Sequence, residues 1–96
     1  MDLNAVRERI NAIDDQIVDL FVERMKASAD VASAKAEKNL PVLDLRREQA
    51  VLEKVMERGG EEFEIYINKL YQTIFDISNS YQAGLLTKET ALSEEI

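Results

Sequence analysis

The apolar residues Val6, Ile10, Ile13, Ile17 and Leu20, followed by Ala27, Val31 and Ala34, recur at helical spacing and trace one face of a single helix from Leu3 to about Lys38. Neither Gly nor Pro interrupts the run. Asp2 or Asn4 can cap its start, and Pro41 stops it, because proline lacks an N–H and disfavours helix in the residue before it. At about 1.5 Å per residue such a helix reaches about 50 Å, against a radius of gyration of about 13 Å for a compact chain of this size. A stripe that long cannot be buried in its own globule, so the pattern predicts a homodimer in which a second chain covers part of it. The alternative is one long helix bent at its Ala/Ser-rich middle.

Asn39 to Leu43 reads as a short loop. Asp44 is a good N-cap for a second helix that runs to Arg58 with Val51, Leu52 and Val55 inward, and Gly59-Gly60 ends it. A third helix begins among Glu61, Glu62 and Glu64, where carboxylates complement the helix N-terminus. It carries Phe63, Ile67, Leu70, Ile74, Phe75 and Tyr81 to about Gln82, with Gly84 as its C-terminal cap. The expected fold is therefore all-α, a three-helix protomer with one long N-terminal helix. Residues 1–84 make up the helical domain, and residues 85–96 form a tail that has room for a frayed helical turn and is expected to be mobile.

Composition narrows the chemistry. A chain of 96 residues has room for one small module. Its 12 Lys and Arg against 19 Asp and Glu give a net charge of −7, which disfavours nucleic acid or an anionic membrane as partner. Without Cys or His, disulfides, thiolate or imidazole zinc sites, Cys nucleophiles and His bases are all excluded. Carboxylates, amines, guanidinia, amides and hydroxyls remain. The opening MDLNAVRERI lacks a basic-then-apolar signal pattern and no apolar run approaches about 18 residues, so a cytoplasmic protein is expected.

Several polar residues stand where the helical pattern asks for apolar ones. Arg24 lies four residues after Leu20, with Ser28 four further on, so the stripe of the first helix runs through a guanidinium. Lys35, 11 residues beyond Arg24, shares its face at a distance of about 16 Å. Two inward cations call for anions between them. Asp44 and Glu48 are the simpler source, as structural salt bridges, and a small polyanionic ligand is the other. Arg7 lies about 25 Å along the helix from Arg24 and about 42 Å from Lys35. By spacing alone it is a solvated surface arginine, and it reaches the same ligand only from an antiparallel partner subunit. Arg46, Arg47 and Glu48 cluster with Asp44 at the start of the second helix, beside the one loop able to close over Lys35. Ser78 and Gln82 continue the Leu70 to Ile74 face with neutral hydrogen-bonding groups, and Phe75 and Asn79 would line the same space.

The order Arg7, Ile13-Asp14, Arg24, Lys35, the stretch Pro41-Val42-Leu43-Asp44-Leu45-Arg46-Arg47-Glu48, and Ser78 followed by Gln82 resembles the all-helical class of chorismate mutase over residues 3 to 83. The resemblance implies an intertwined homodimer that converts chorismate to prephenate without a cofactor, and a chain with room for one small module is expected to be a stand-alone enzyme. It implies that Arg7 from the partner subunit and Arg24 hold the two substrate carboxylates. Lys35 would bind a carboxylate and the ether oxygen of the breaking bond, and Gln82 would donate to that oxygen from the other side. Glu48 and the backbone N–H of Asp44 would take the ring hydroxyl, with Arg47 and Ser78 completing the carboxylate shell. In this reading Lys35, Gln82 and Arg24 are catalytic. Family members with glutamate at the Gln82 position depend on keeping it protonated, so the neutral amide implies activity little affected by mildly alkaline pH.

Two other readings compete. An isochorismate pyruvate-lyase would use the same fold and a similar cationic pocket, although the intact Pro41 to Glu48 segment favours the mutase. A non-catalytic helical dimerisation module would pair Arg24 and Lys35 with interface carboxylates and would gain no stability from small dicarboxylates.

Overall fold

The computed structural model describes the backbone of residues 1–95 and the side chains of residues 1–87. Three α-helices follow one another: α1 (Leu3–Glu37), α2 (Leu45–Gly59) and α3 (Glu64–Glu95), with a 3-10 turn at Glu61–Phe63 ahead of α3. The fold is all-α, as the periodicity predicts. Asp2 caps α1 by accepting from the Asn4 N–H at 3.1 Å, and Asp44 caps α2 by accepting from the Arg47 N–H at 3.0 Å.

α1 ends in a Schellman motif. Asn39 adopts φ 55°, the Leu40 N–H returns to the Lys35 carbonyl at 2.8 Å, and the Asn39 N–H to the Ala36 carbonyl at 3.2 Å. Asn tolerates this left-handed geometry because its short polar side chain hydrogen-bonds locally. Pro41 then prevents any continuation. Gly60, at φ 87° and ψ 166°, ends α2 in a region open essentially to glycine alone, and its N–H bonds the Met56 carbonyl at 3.2 Å.

The third helix departs from the expected boundary. Gly84 does not cap it: α3 runs on to Glu95, and the Thr87 hydroxyl bonds the Ala83 carbonyl at 3.0 Å within it. A helical glycine costs only about 1 kcal/mol relative to alanine, and no proline follows to stop the chain. The expected mobility of the tail concerns residues that lie, from Lys88 onward, outside those whose side chains are described.

α3 is the spine. α1 packs on it and α2 packs on it, whereas among the described residues α1 and α2 do not meet. Among the described residues the buried apolar side chains are Ala32 of α1, Leu52 of α2 and Phe75 of α3. Ile10, Ile13, Ile17 and Leu20 of the predicted stripe are all exposed, Leu20 by 63%, whereas Val6 is half-buried. The molecule is elongated, 62 × 27 × 15 Å with a radius of gyration of 17.3 Å, where a compact chain would show about 13 Å. No helix among the described residues is long and apolar enough to cross a membrane.

Leu52 is the one buried side chain of α2, so Leu52→Ala should lower the unfolding free energy by about 2–5 kcal/mol in urea denaturation followed by circular dichroism. A loss below about 0.5 kcal/mol, the range of ordinary surface substitutions, would show that α2 is held some other way.

Candidate active site

Where α1 and α2 diverge over α3 they leave a cavity of about 320 Å³, a volume suited to a small molecule. Its walls take Arg24, Ser28 and Lys35 from α1, Val42 from the loop, Asp44, Arg47 and Glu48 from the start of α2, and Phe75, Ser78, Asn79 and Gln82 from α3. Apart from Arg7 and the exposed Arg46, every candidate site residue lines this one space. Arg7 is exposed, near the far end of α1.

The two α1 cations are not tied up as the salt bridges first expected. Among the described residues neither Arg24 nor Lys35 forms an ion pair, and the carboxylates that share the cavity have other partners. Glu48 Oε2 accepts from Asn79 Nδ2 at 3.0 Å, and Asp44 Oδ1 caps α2. Lys35 Nζ donates instead to the Val42 carbonyl at 2.6 Å. The Schellman turn accounts for this contact, since it folds the chain back so that Val42 passes over the end of α1. An ammonium has three N–H donors, so one such bond fixes its position and leaves two for a ligand. Arg24 lies over the ring of Tyr71, 5.9 Å from its centroid, and Tyr71 in turn meets Phe75 edge to face at 5.9 Å. This cation–π contact orients the guanidinium without neutralising it.

On the α3 side, Ser78 and Gln82 are 6% and 5% exposed, far too buried to be the polar end of a solvated helix. Gln82 Nε2 donates to Ser78 Oγ at 3.2 Å, and Ser78 Oγ lies 2.7 Å from Ser28 Oγ. Gln82 Oε1 is buried with no partner. Such an atom is expensive in a folded protein and characteristic of a functional cavity. The site can thus receive a compact anion with hydrogen-bonding groups, offering cations on one side and neutral amide and hydroxyl groups on the other.

Sequence spacing missed three contributors. The Val42 carbonyl is a backbone group and carries no sequence signal. Tyr71, four residues before Phe75, passes for ordinary helix packing. Ser28 follows Arg24 by one turn, yet its pairing with a serine 50 residues away depends on how α1 and α3 meet.

Residues 6–83, from just before Arg7 to just past Gln82, match the family described as Chorismate mutase type II. The chain belongs to that family. It is 37% identical over 89 residues to the bifunctional chorismate mutase/prephenate dehydratase of Buchnera aphidicola subsp. Schizaphis graminum, a match covering 91% of this chain and 23% of that protein. Proteins of the same description from Enterobacter agglomerans and Escherichia coli (strain K12) are 34% and 35% identical over 88 and 86 residues. Those matches cover 90% and 88% of this chain and 23% and 22% of theirs. The chain spans less than a quarter of the length of these curated relatives. The chorismate mutase type II match encloses the whole cavity lining, from Arg24 to Gln82.

With two free cations facing it, the cavity should bind small dicarboxylates. Malate should raise the melting temperature in a concentration-dependent way, and Lys35→Ala or Arg24→Ala should remove the effect. Equal stabilisation of wild type and both variants would place the binding elsewhere.

Proposed function

We propose that this chain catalyses the intramolecular [3,3] rearrangement of chorismate to prephenate. One observation carries the reading: in a chain of the chorismate mutase type II family, Arg24, Lys35, Asp44, Arg47, Glu48, Ser78 and Gln82 converge on a single small cavity. In this reaction the ether C–O bond breaks and a C–C bond forms within one molecule. It needs no nucleophile, proton shuttle or redox partner, in keeping with a site built from ammonium, guanidinium, amide, hydroxyl and carboxylate groups.

The residues then divide the work between holding a conformer and stabilising charge. Arg24 takes one substrate carboxylate, and Arg47 and Ser78 complete the shell around it. Glu48, fixed by Asn79, accepts from the ring hydroxyl, which also meets the Asp44 backbone N–H. These contacts select the compact diaxial conformer in which the reacting carbons approach one another. As C–O cleavage runs ahead of C–C bonding, negative charge gathers on the ether oxygen. Lys35 and Gln82 donate to that oxygen from opposite sides, and donors already in place stabilise the transition state more than the ground state.

The site is completed by a second copy of the chain. The exposed stripe from Ile10 to Leu20 and the elongated shape support an intertwined homodimer, in which two α1 helices run antiparallel. That arrangement returns Arg7 of the partner subunit to the cavity, where it binds the other substrate carboxylate. In this account residues 1–84 form the catalytic unit, and α3 extends beyond it to Glu95.

Purified protein should consume chorismate, followed by its near-ultraviolet absorbance, and yield prephenate, identified by its acid conversion to phenylpyruvate. Lys35→Ala should lower turnover by about 10² to 10³ or more while leaving the fold intact. Near-normal turnover in that variant would refute the role of Lys35. A folded wild-type protein with no turnover would refute the assignment.

A further inference from the structure

We propose that Ser28 is a positioning residue for the Gln82 amide, acting through the Ser78 hydroxyl; the role rests on the mutase reading and deepens it. Three polar side chains form a relay across the contact between α1 and α3. The Ser28 and Ser78 hydroxyl oxygens lie 2.7 Å apart, and Gln82 Nε2 donates to Ser78 Oγ at 3.2 Å. All three residues are buried. At the end of the relay the Gln82 Oε1 atom is left unpaired.

With this polarity, the end of the amide not tied to Ser78 is an acceptor. The proposed chemistry needs a donor there, because an ether oxygen only accepts. Half a turn about the Gln82 Cγ–Cδ bond exchanges the two ends. Oε1 then accepts from the Ser78 hydroxyl, Ser78 Oγ accepts from the Ser28 hydroxyl, and the Nε2 N–H groups are released for the ligand. In this second polarity the orphaned carbonyl oxygen is paired, and each hydroxyl proton has an acceptor.

Ser28 is the terminal donor of that arrangement. It lets Ser78 give its proton to Gln82 while still receiving one, and hydrogen bonds in series polarise each other. Donation to the carbonyl oxygen strengthens the amide N–H as a donor just as charge grows on the ether oxygen. In this second polarity the relay holds Gln82 with its Nε2 end turned away from Ser78. An alanine at position 28 would keep the packing and remove the terminal donor.

The test compares the full-length wild type, Ser28→Ala, Gln82→Ala and the double variant by chorismate turnover and thermal melting. Ser28→Ala should lower kcat about two- to tenfold with little change in KM or melting temperature, as expected for bonds that strengthen in the transition state. On the Gln82→Ala background the same substitution should have no further effect on kcat. An unchanged kcat in Ser28→Ala, a loss expressed in KM instead, or an equal loss on both backgrounds would overturn the role of Ser28. Absence of turnover in the wild type would overturn the mutase reading itself, so the two failures are distinguishable.

Discussion

A helix of 35 residues in a chain of 96 cannot be wrapped by the remainder of that chain, and this disproportion shapes everything else in the molecule. α1 buries only Ser28 and Ala32, both in its C-terminal half, where it lies on α3. That half carries Arg24, Ser28 and Lys35 to the cavity. The other half carries Arg7 and an uncovered row of isoleucines and leucine out of reach of the same chain. Under the proposed dimer these are two aspects of one arrangement. An antiparallel copy that covers the stripe also brings its own Arg7 to the cavity it completes, so burial of apolar surface and assembly of the site have the same cause.

The second governing feature is how the cavity keeps its positive charges available. A protein of net charge −7 has carboxylates to spare, and salt bridges would have made Arg24 and Lys35 inert. The fold holds both cations with neutral partners instead, the Val42 carbonyl for Lys35 and the Tyr71 ring for Arg24. The two carboxylates of the lining are meanwhile restrained by Asn79 and by the backbone of α2. A dianion entering the cavity therefore finds donors already oriented, and reorganisation during the reaction is small. Under the proposed function, electrostatic preorganisation of this kind is the main resource, because the rearrangement needs no covalent bond to the protein.

Much of this was legible in the residues. The caps Asp2 and Asp44, the stop at Pro41 and the glycine pair after Arg58 locate α1 and α2 within one residue, because each follows from local sterics or hydrogen bonding. Gly84 misled, since one glycine is a weak stop in a segment with no other helix breaker. The lining from Arg24 to Gln82 was readable wherever a polar residue broke an apolar period. What periodicity could not reveal was pairing. The engagement of Glu48 with Asn79, of Lys35 with a backbone carbonyl, and of Ser28 with Ser78 all depend on the register of elements distant in sequence.

In the proposed dimer each site is built from two chains, with Arg7 supplied in trans and Lys35 in cis. Mixing Arg7→Ala protein with Lys35→Ala protein under conditions that allow subunit exchange tests it directly. Each heterodimer would contain one intact site and one doubly defective site. Two variants that are nearly inactive alone should therefore recover, at equal mixing, about a quarter of wild-type turnover. Turnover that never rises above that of the separate variants, in a sample shown to have exchanged subunits, would contradict the shared site.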